Sequence, residues 1–399
     1  MGINDYLRRL AELKGSDLFL SVGAPPTAKC EGSYVRLGSE PLPKGAVKAM
    51  AYELMSERQT EEFERDLEMN LAVGIAGAGR FRANVYLQRG EVAMVVRYIN
   101  DQIPSFAELG LPSVLERLVM LDRGLILVTG STGSGKSTTL AAMLDYRNTN
   151  RAGHIVCIED PIEFLHHHKE SIIDQREVGL DTHSFKDALH NVLREAPNVI
   201  MIGEIRDRET MQHALHYSET GHLVLATMHA TNTVQAVDRM ANMFPEDARQ
   251  QILGDISMNL AAIIGQRLAK GITKPRLPVV EVLVRTPYIV NLIARGEIQD
   301  IRDAMTRATD DKALQTYDQH LFQLITEKAI TLKEAVRLAD SRNDLILRTR
   351  MEASNTSPTA AASAGRPASP PSGPAPAREK PAEPPVSTSF DSDLTDDFR

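Results

Sequence analysis

No tryptophan occurs among the 399 residues, aromatic side chains make up only 5%, and there are two cysteines. Cys30 and Cys157 lie far apart and no C-x-x-C spacing occurs, which argues against a zinc ribbon or a disulfide framework. Cys157 sits in an apolar run and reads as a buried free thiol. No apolar run approaches the ~18 residues of a membrane span. The opening residues 1–6 lack the apolar core of a signal peptide, and Tyr6 stands where a myristoylation motif needs Ser or Thr. The expectation is a cytosolic protein, peripheral to a membrane at most. Positive charge is also in short supply. The net charge of −8 argues against a dedicated nucleic-acid binder. What is present is a 42% hydrophobic content, enough for ordinary cores in two or three domains.

The most informative stretch is Gly130-Ser131-Thr132-Gly133-Ser134-Gly135-Lys136-Ser137, which fits the phosphate-binding pattern G-x-x-x-x-G-K-[ST]. An apolar run at 125–129 precedes it and reads as a buried strand. Helix formers follow from Thr138 to Leu144. Strand, glycine loop and helix start is the arrangement the chemistry needs. The glycines let backbone N–H groups approach phosphate, and the helix N-terminus adds positive dipole. Lys136 can reach the β- and γ-phosphates of a nucleoside triphosphate, and Ser137 can hold Mg²⁺.

Along the chain, residues 3–14 have the spacing of an amphipathic helix, and 17–21 reads as a short strand. Helices are predicted over 44–55 and 57–66, and strands over 71–75, 80–89 and 91–99. Residues 1–100 therefore read as an α+β domain. It carries Arg80 and Arg82 on alternating strand positions, and further arginines at Arg89 and Arg97. A solvated strand face explains these as simply as a binding role does. A linker follows at 101–107. From 108 to 350, apolar runs at 155–158, 199–202 and 223–226 alternate with helical stretches at 184–193 and 210–220. Such alternation predicts a mostly parallel sheet covered by helices, and the phosphate loop on its first strand makes it a RecA-like core. Residues 248–347 read as mainly helical, with one strand candidate at 278–284. Beyond 350 the chain turns to Pro, Ala and Ser, too poor in large apolar groups to fold, so 351–399 is expected to be a disordered tail. Its end, Phe390 to Phe398, is acidic with two phenylalanines and reads as a passive tail or a docking peptide.

Hydrolysis needs acidic groups near the metal and the attacking water. Two places offer them. One is Glu159-Asp160-Pro161-Ile162-Glu163, after the second strand; the other is Glu204, after the run 199–202. Both fall at strand C-terminal ends, where an open α/β sheet places its ligand crevice. An ordinary solvated carboxylate is the plain alternative for each. His222 and His229 flank the run 223–226, and His229 is placed to sense a γ-phosphate. His166-His167-His168 reads as an exposed polar turn.

These boxes carry a resemblance. Residues 159–164 resemble the Asp box of the secretion and pilus ATPases. Residues 193–198, running on to Gly203-Glu204-Ile205-Arg206-Asp207, resemble the signature around their Walker B carboxylate. Residues 220–229 resemble their His box. The match spans about 3–347, and within the family the chain looks like the PilT/PilU pilus retraction branch. Phe19 stands where PilT proteins usually carry His. Glu195-Ala196-Pro197-Asn198 departs from an acidic-acidic-Pro-Asp form, and Val290 replaces a usual Arg in a stretch resembling the retraction motif. These departures favour the PilT-dependent accessory side of the branch. The resemblance implies a PAS-like first domain and a hexameric ring hydrolysing ATP with Mg²⁺ at the cytoplasmic base of a type IV pilus. It also implies a PilT-type ATPase and an inner-membrane platform protein as partners. Lys136 and Ser137 would hold phosphate and metal, Glu163 would be the catalytic base, and Glu204 would order Mg²⁺ through water. His222 and His229 would couple nucleotide state to shape, and Arg82 and Arg97 would reach nucleotide as subunits close. The competing readings are an autonomous PilT-type motor, a ring scaffold whose hydrolysis is dispensable, a nucleic-acid translocase, and a small-molecule kinase.

Overall fold

Apolar strand runs and the helices between them assemble two separate sheets in the computed structural model, which describes residues 1–30, 32–99, 101–308 and 313–356. The tail predicted over 351–399 lies almost wholly outside the described residues.

The first sheet has six strands in the order β3-β2-β1-β6-β5-β4. They are β1 (Asp17–Leu20), β2 (Thr27–Cys30), β3 (Ser33–Arg36), β4 (Glu68–Ile75), β5 (Gly79–Gln88) and β6 (Glu91–Ile99). All pair antiparallel. Period-two alternation decides which face of β5 is covered: Phe81, Ala83 and Val85 are buried, while Arg80 and Arg82 take the other face. The helix Ile3–Glu12 turns Ile3, Leu7 and Leu10 onto the same core. The short edge hairpin of β2 and β3 was not expected from the sequence. β3 is exposed throughout, so it lacks the buried face that gives a strand its pattern.

The second sheet has seven strands in the order β13-β12-β7-β11-β10-β8-β9. They are β7 (Gly124–Thr129), β8 (Gly153–Glu159), β9 (Ser171–Glu177), β10 (Val199–Ile202), β11 (Leu223–Met228), β12 (Leu260–Ala269) and β13 (Leu277–Val284). Every pairing is parallel except that of β12 with β13. β7, β10 and β11 are buried at every position, as central strands covered on both faces must be. Two apolar layers, one on each face, complete the core. No helix among the described residues is long and apolar enough to cross a membrane.

Residues 248–347 are mainly helical, as read from the sequence, and β13 matches the strand candidate at 278–284, but β12 was read as helix. Its sequence, Leu-Ala-Ala-Ile-Ile-Gly-Gln-Arg-Leu-Ala, is rich in helix formers, and burial on both faces removes the alternation that marks a strand. Helices Tyr317–Thr326 and Leu332–Leu338 then pack around Ala269 and Val279 at this edge.

Beside β12, Glu281 on β13 is 4% exposed and accepts a 2.7 Å hydrogen bond from the Thr233 N–H. Burial pushes its carboxyl up to about 7, with Asp340 adding to the shift and Arg267 opposing it. The native state therefore holds a proton that the unfolded chain releases from pH ~4.5 upward, and stability falls as pH rises from there through ~7. Replacing Glu281 by Gln should remove that loss. Relative to wild type, E281Q is expected to melt higher at pH 8, by up to ~3 kcal/mol of stability, and close to wild type at pH 5. Melting temperatures measured across that range check the sign.

Candidate functional site

The phosphate loop connects β7 to the helix Lys136–Asn150, as its sequence requires. Gly130, Gly133 and Gly135 all take positive φ, and at two of them a side chain would also clash. A Cβ at Gly130 would lie 2.4 Å from both the Gln266 carbonyl oxygen and Ser134 Oγ. Gly135 has φ of +88°, and a Cβ there would meet Gln266 Nε2 at 2.8 Å. Lys136 Nζ donates to the carbonyls of Gly130 and Ser131, both at 3.1 Å. Burial lowers the Lys136 pKa, while Glu204 and Glu163 act in the opposite direction. The ammonium thus feels both carboxylates across the loop.

A cleft of about 690 Å³ joins these groups. Thr132, Gly133, Gly135, Lys136, Ser137 and Thr138 form one wall. Glu163, Glu204 and His229 enter from the C-terminal ends of β8, β10 and β11. Parallel pairing in register brings those ends together: Ile158 is level with Ile202, and Ile202 with Ala226. Glu204 is held on both oxygens. Its Oε1 lies 3.0 Å from His229 Nε2, and its Oε2 accepts from Arg206 Nε at 2.8 Å. Arg239 in turn donates to the His229 carbonyl at 2.7 Å. Glu163 is exposed to the cleft. Gly130, Ser131 and Ser134 face an adjoining cavity of about 650 Å³, which His229 also lines.

Three of the residues singled out in the sequence lie elsewhere. His222 stands at the opposite end of β11 from His229, its Nδ1 3.2 Å from the Tyr217 carbonyl. Arg97 donates through Nε to Asp17 at 2.8 Å within the first sheet. Arg82 points its Nε at Glu177, 3.9 Å away. Glu177 Oε2 accepts from the Ile162 N–H at 3.3 Å, so Arg82 reaches the back of the Asp box rather than the cleft.

His166 corrects the reading of 166–168 as an exposed turn. It is half-buried and lines the cleft, and burial lowers its pKa to about 4, leaving a neutral ring. Its backbone N–H donates to Gln175 Oε1 at 2.9 Å, which folds the turn back against β9. His167 and His168 are the exposed pair.

Two further cleft residues stand out, Glu159 from the acidic stretch 159–163 and Gln266, which carried no role in the sequence. Glu159, 7% exposed, accepts from Gln175 Nε2 at 2.9 Å, and burial raises its carboxyl to about 7. Gln266, 3% exposed, sits on β12 behind the loop. The available signal for Gln266 was the polar pair Gln266-Arg267 interrupting an apolar run.

The donor set suits a nucleotide and a hard cation. The loop offers a glycine cradle and a lysine, and Ser137 and Glu204 bring oxygen ligands to the same cleft.

The family model described as Type II/IV secretion system protein matches residues 46–281. The chain is 47% identical over 348 residues to the type IV pilus ATPase PilU of Pseudomonas aeruginosa, covering 87% of this chain and 91% of that protein. It is 39% identical over 335 residues to the pilus retraction ATPase PilT of the same organism, covering 84% and 97%. A crystal structure of the pilus retraction motor PilT with bound ADP superposes with a TM-score of 0.81 at 40% identity, covering 87% of this chain and 99% of that one. The Legionella pneumophila ATPase DotB shares the fold, with a TM-score of 0.68 at 23% identity.

Proposed function

The chain belongs to the PilT/PilU family of type IV pilus ATPases, and on that premise we propose that it hydrolyses ATP to assist pilus retraction and twitching motility. The carrying observation is the single cleft in which Lys136, Ser137, Glu163, Glu204 and His229 converge. The similarity to a retraction motor with bound ADP supports a nucleotide as its occupant.

In this reading the loop N–H groups and Lys136 take the β- and γ-phosphates, and Lys136 stabilises charge that builds on the transferring phosphoryl group. Glu163 accepts the proton of the attacking water. Ser137 would hold Mg²⁺ directly and Glu204 through water; the ion, when bound, would neutralise phosphate charge. His229, joined to Glu204, reports on that end of the cleft. Domain movement driven by turnover would be the mechanical output of a homo-hexamer at the cytoplasmic face of the inner membrane, working with a PilT-type ATPase and a platform protein.

The accessory role rests on two supports: higher identity to PilU than to PilT, and the substitutions Phe19 and Val290. Deleting the gene is expected to leave pili on the surface while shrinking twitching zones several-fold. Twitching unchanged by the deletion would remove this reading.

A further inference from the structure

Neighbouring side chains on β12 leave the strand on opposite faces, and both are anchored. Gln266 points at the phosphate loop. Its Nε2 donates to the Ser134 carbonyl at 2.9 Å, and its Oε1 accepts from Thr139 Oγ1 at 2.6 Å. Thr139 is 1% exposed, in the first turn of the helix that follows the loop. One amide therefore fastens the loop's backbone and the start of its helix at once.

Arg267 points the other way. It pairs with Asp340 at 2.7 Å, donates to the carbonyls of Thr231 and Leu338, and lies 3.8 Å from the centre of the Tyr317 ring. A one-residue slip of β12 would exchange the two faces, so these contacts fix the register that aims Gln266.

The consequence for the loop follows from peptide geometry. In a trans peptide the carbonyl and the next N–H point in opposite directions. Holding the Ser134 carbonyl toward β12 turns the Gly135 N–H away from it, to the side where phosphate would sit. The backbone of Gln266 is equally close, since its carbonyl limits Gly130 to a hydrogen.

We infer that Gln266 is a positioning residue for the phosphate-binding loop, setting the orientation of its N–H groups through Ser134 and Thr139. This deepens the proposed function and rests on its reading of the loop as a nucleotide site.

The test measures binding of a fluorescent ATP analogue, steady-state kcat and KM, and melting temperature on the full-length protein. Gln266→Leu is expected to weaken analogue binding about tenfold or more and to lower kcat, since small misplacements of positioning groups carry large kinetic costs. Thr139→Val should reproduce the effect, and Thr139→Ser, which keeps the hydroxyl, should stay near wild type. The double variant Gln266→Leu/Thr139→Val should be little worse than Gln266→Leu, because that change already removes the Thr139 hydrogen bond along with the one to Ser134. Ile263→Val, a buried change elsewhere on β12, should lower the melting temperature without touching affinity.

Gln266→Leu binding and turning over like wild type, whatever its melting temperature, would overturn the inference while leaving the nucleotide site intact. Fully additive losses in the double variant would overturn it too. Should Gln266→Leu fail to fold, the Thr139 pair decides, and Thr139→Val at wild-type affinity overturns it. Wild-type protein that binds no analogue overturns the nucleotide reading and this inference together.

Discussion

Lys136→Ala is expected to abolish nearly all ATP turnover by the purified protein. The lysine is the one loop side chain whose ammonium is placed by two loop carbonyls and feels both Glu163 and Glu204. Removing a preorganised donor from a phosphoryl-transfer site costs ~10²-fold or more in rate, and here a full charge goes with it. Ala also removes a buried stem, but burial lowers the lysine's pKa in wild type, so the folded state loses a desolvated charge as well. Stability should therefore change far less than rate. The check is phosphate release at saturating ATP together with a thermal melt. Near wild-type turnover in a folded Lys136→Ala protein would show that hydrolysis is carried out elsewhere.

The second large effect is expected from Glu163→Gln, and it separates binding from chemistry. Glu163 is exposed to the cleft at the end of β8, while the loop wall and Lys136 are left as they are by the substitution. Gln keeps the shape and loses the proton acceptor. General-base catalysis contributes 10²–10⁴-fold, so kcat should fall by about that much with the Kd for ATP within a few-fold of wild type. Titrating a fluorescent ATP analogue beside a turnover assay measures both. Lost binding would make Glu163 structural. Retained turnover would move the base to another residue, with Glu159 a buried carboxylate in the same cleft.

How much of this was legible from the sequence depends on what each residue needs around it. The phosphate loop announces itself because its spacing is local and strand and helix flank it. β10 and β11 are legible for a related reason: β10 is apolar throughout and β11 through Ala226, and they end just before Glu204 and His229. β12 was not legible. Its Leu, Ala, Gln and Arg content favours helix, and only pairing with β7, far away in sequence, and with β13, the next strand of the chain, makes it a strand. Gln266 was lost with it. His222 and His229 are seven residues apart in one box, yet a strand of six residues puts them at opposite ends of the sheet. Arg82 and Arg97 were singled out together by the resemblance, and within this chain their charged neighbours differ: Glu177 behind the Asp box for one, Asp17 for the other. Periodicity gives the face on which a side chain lies and says nothing of the group it meets there.

The most direct test of the account is retraction in the living cell, with this chain's own hydrolysis switched off. In a strain lacking the gene, twitching zones and the retraction speed of labelled pili are measured after complementation with wild-type protein or with Lys136→Ala at equal expression. Wild type is expected to restore both, and Lys136→Ala neither. Full restoration by Lys136→Ala would contradict this expectation, and would make this chain a scaffold in a machine driven by another ATPase.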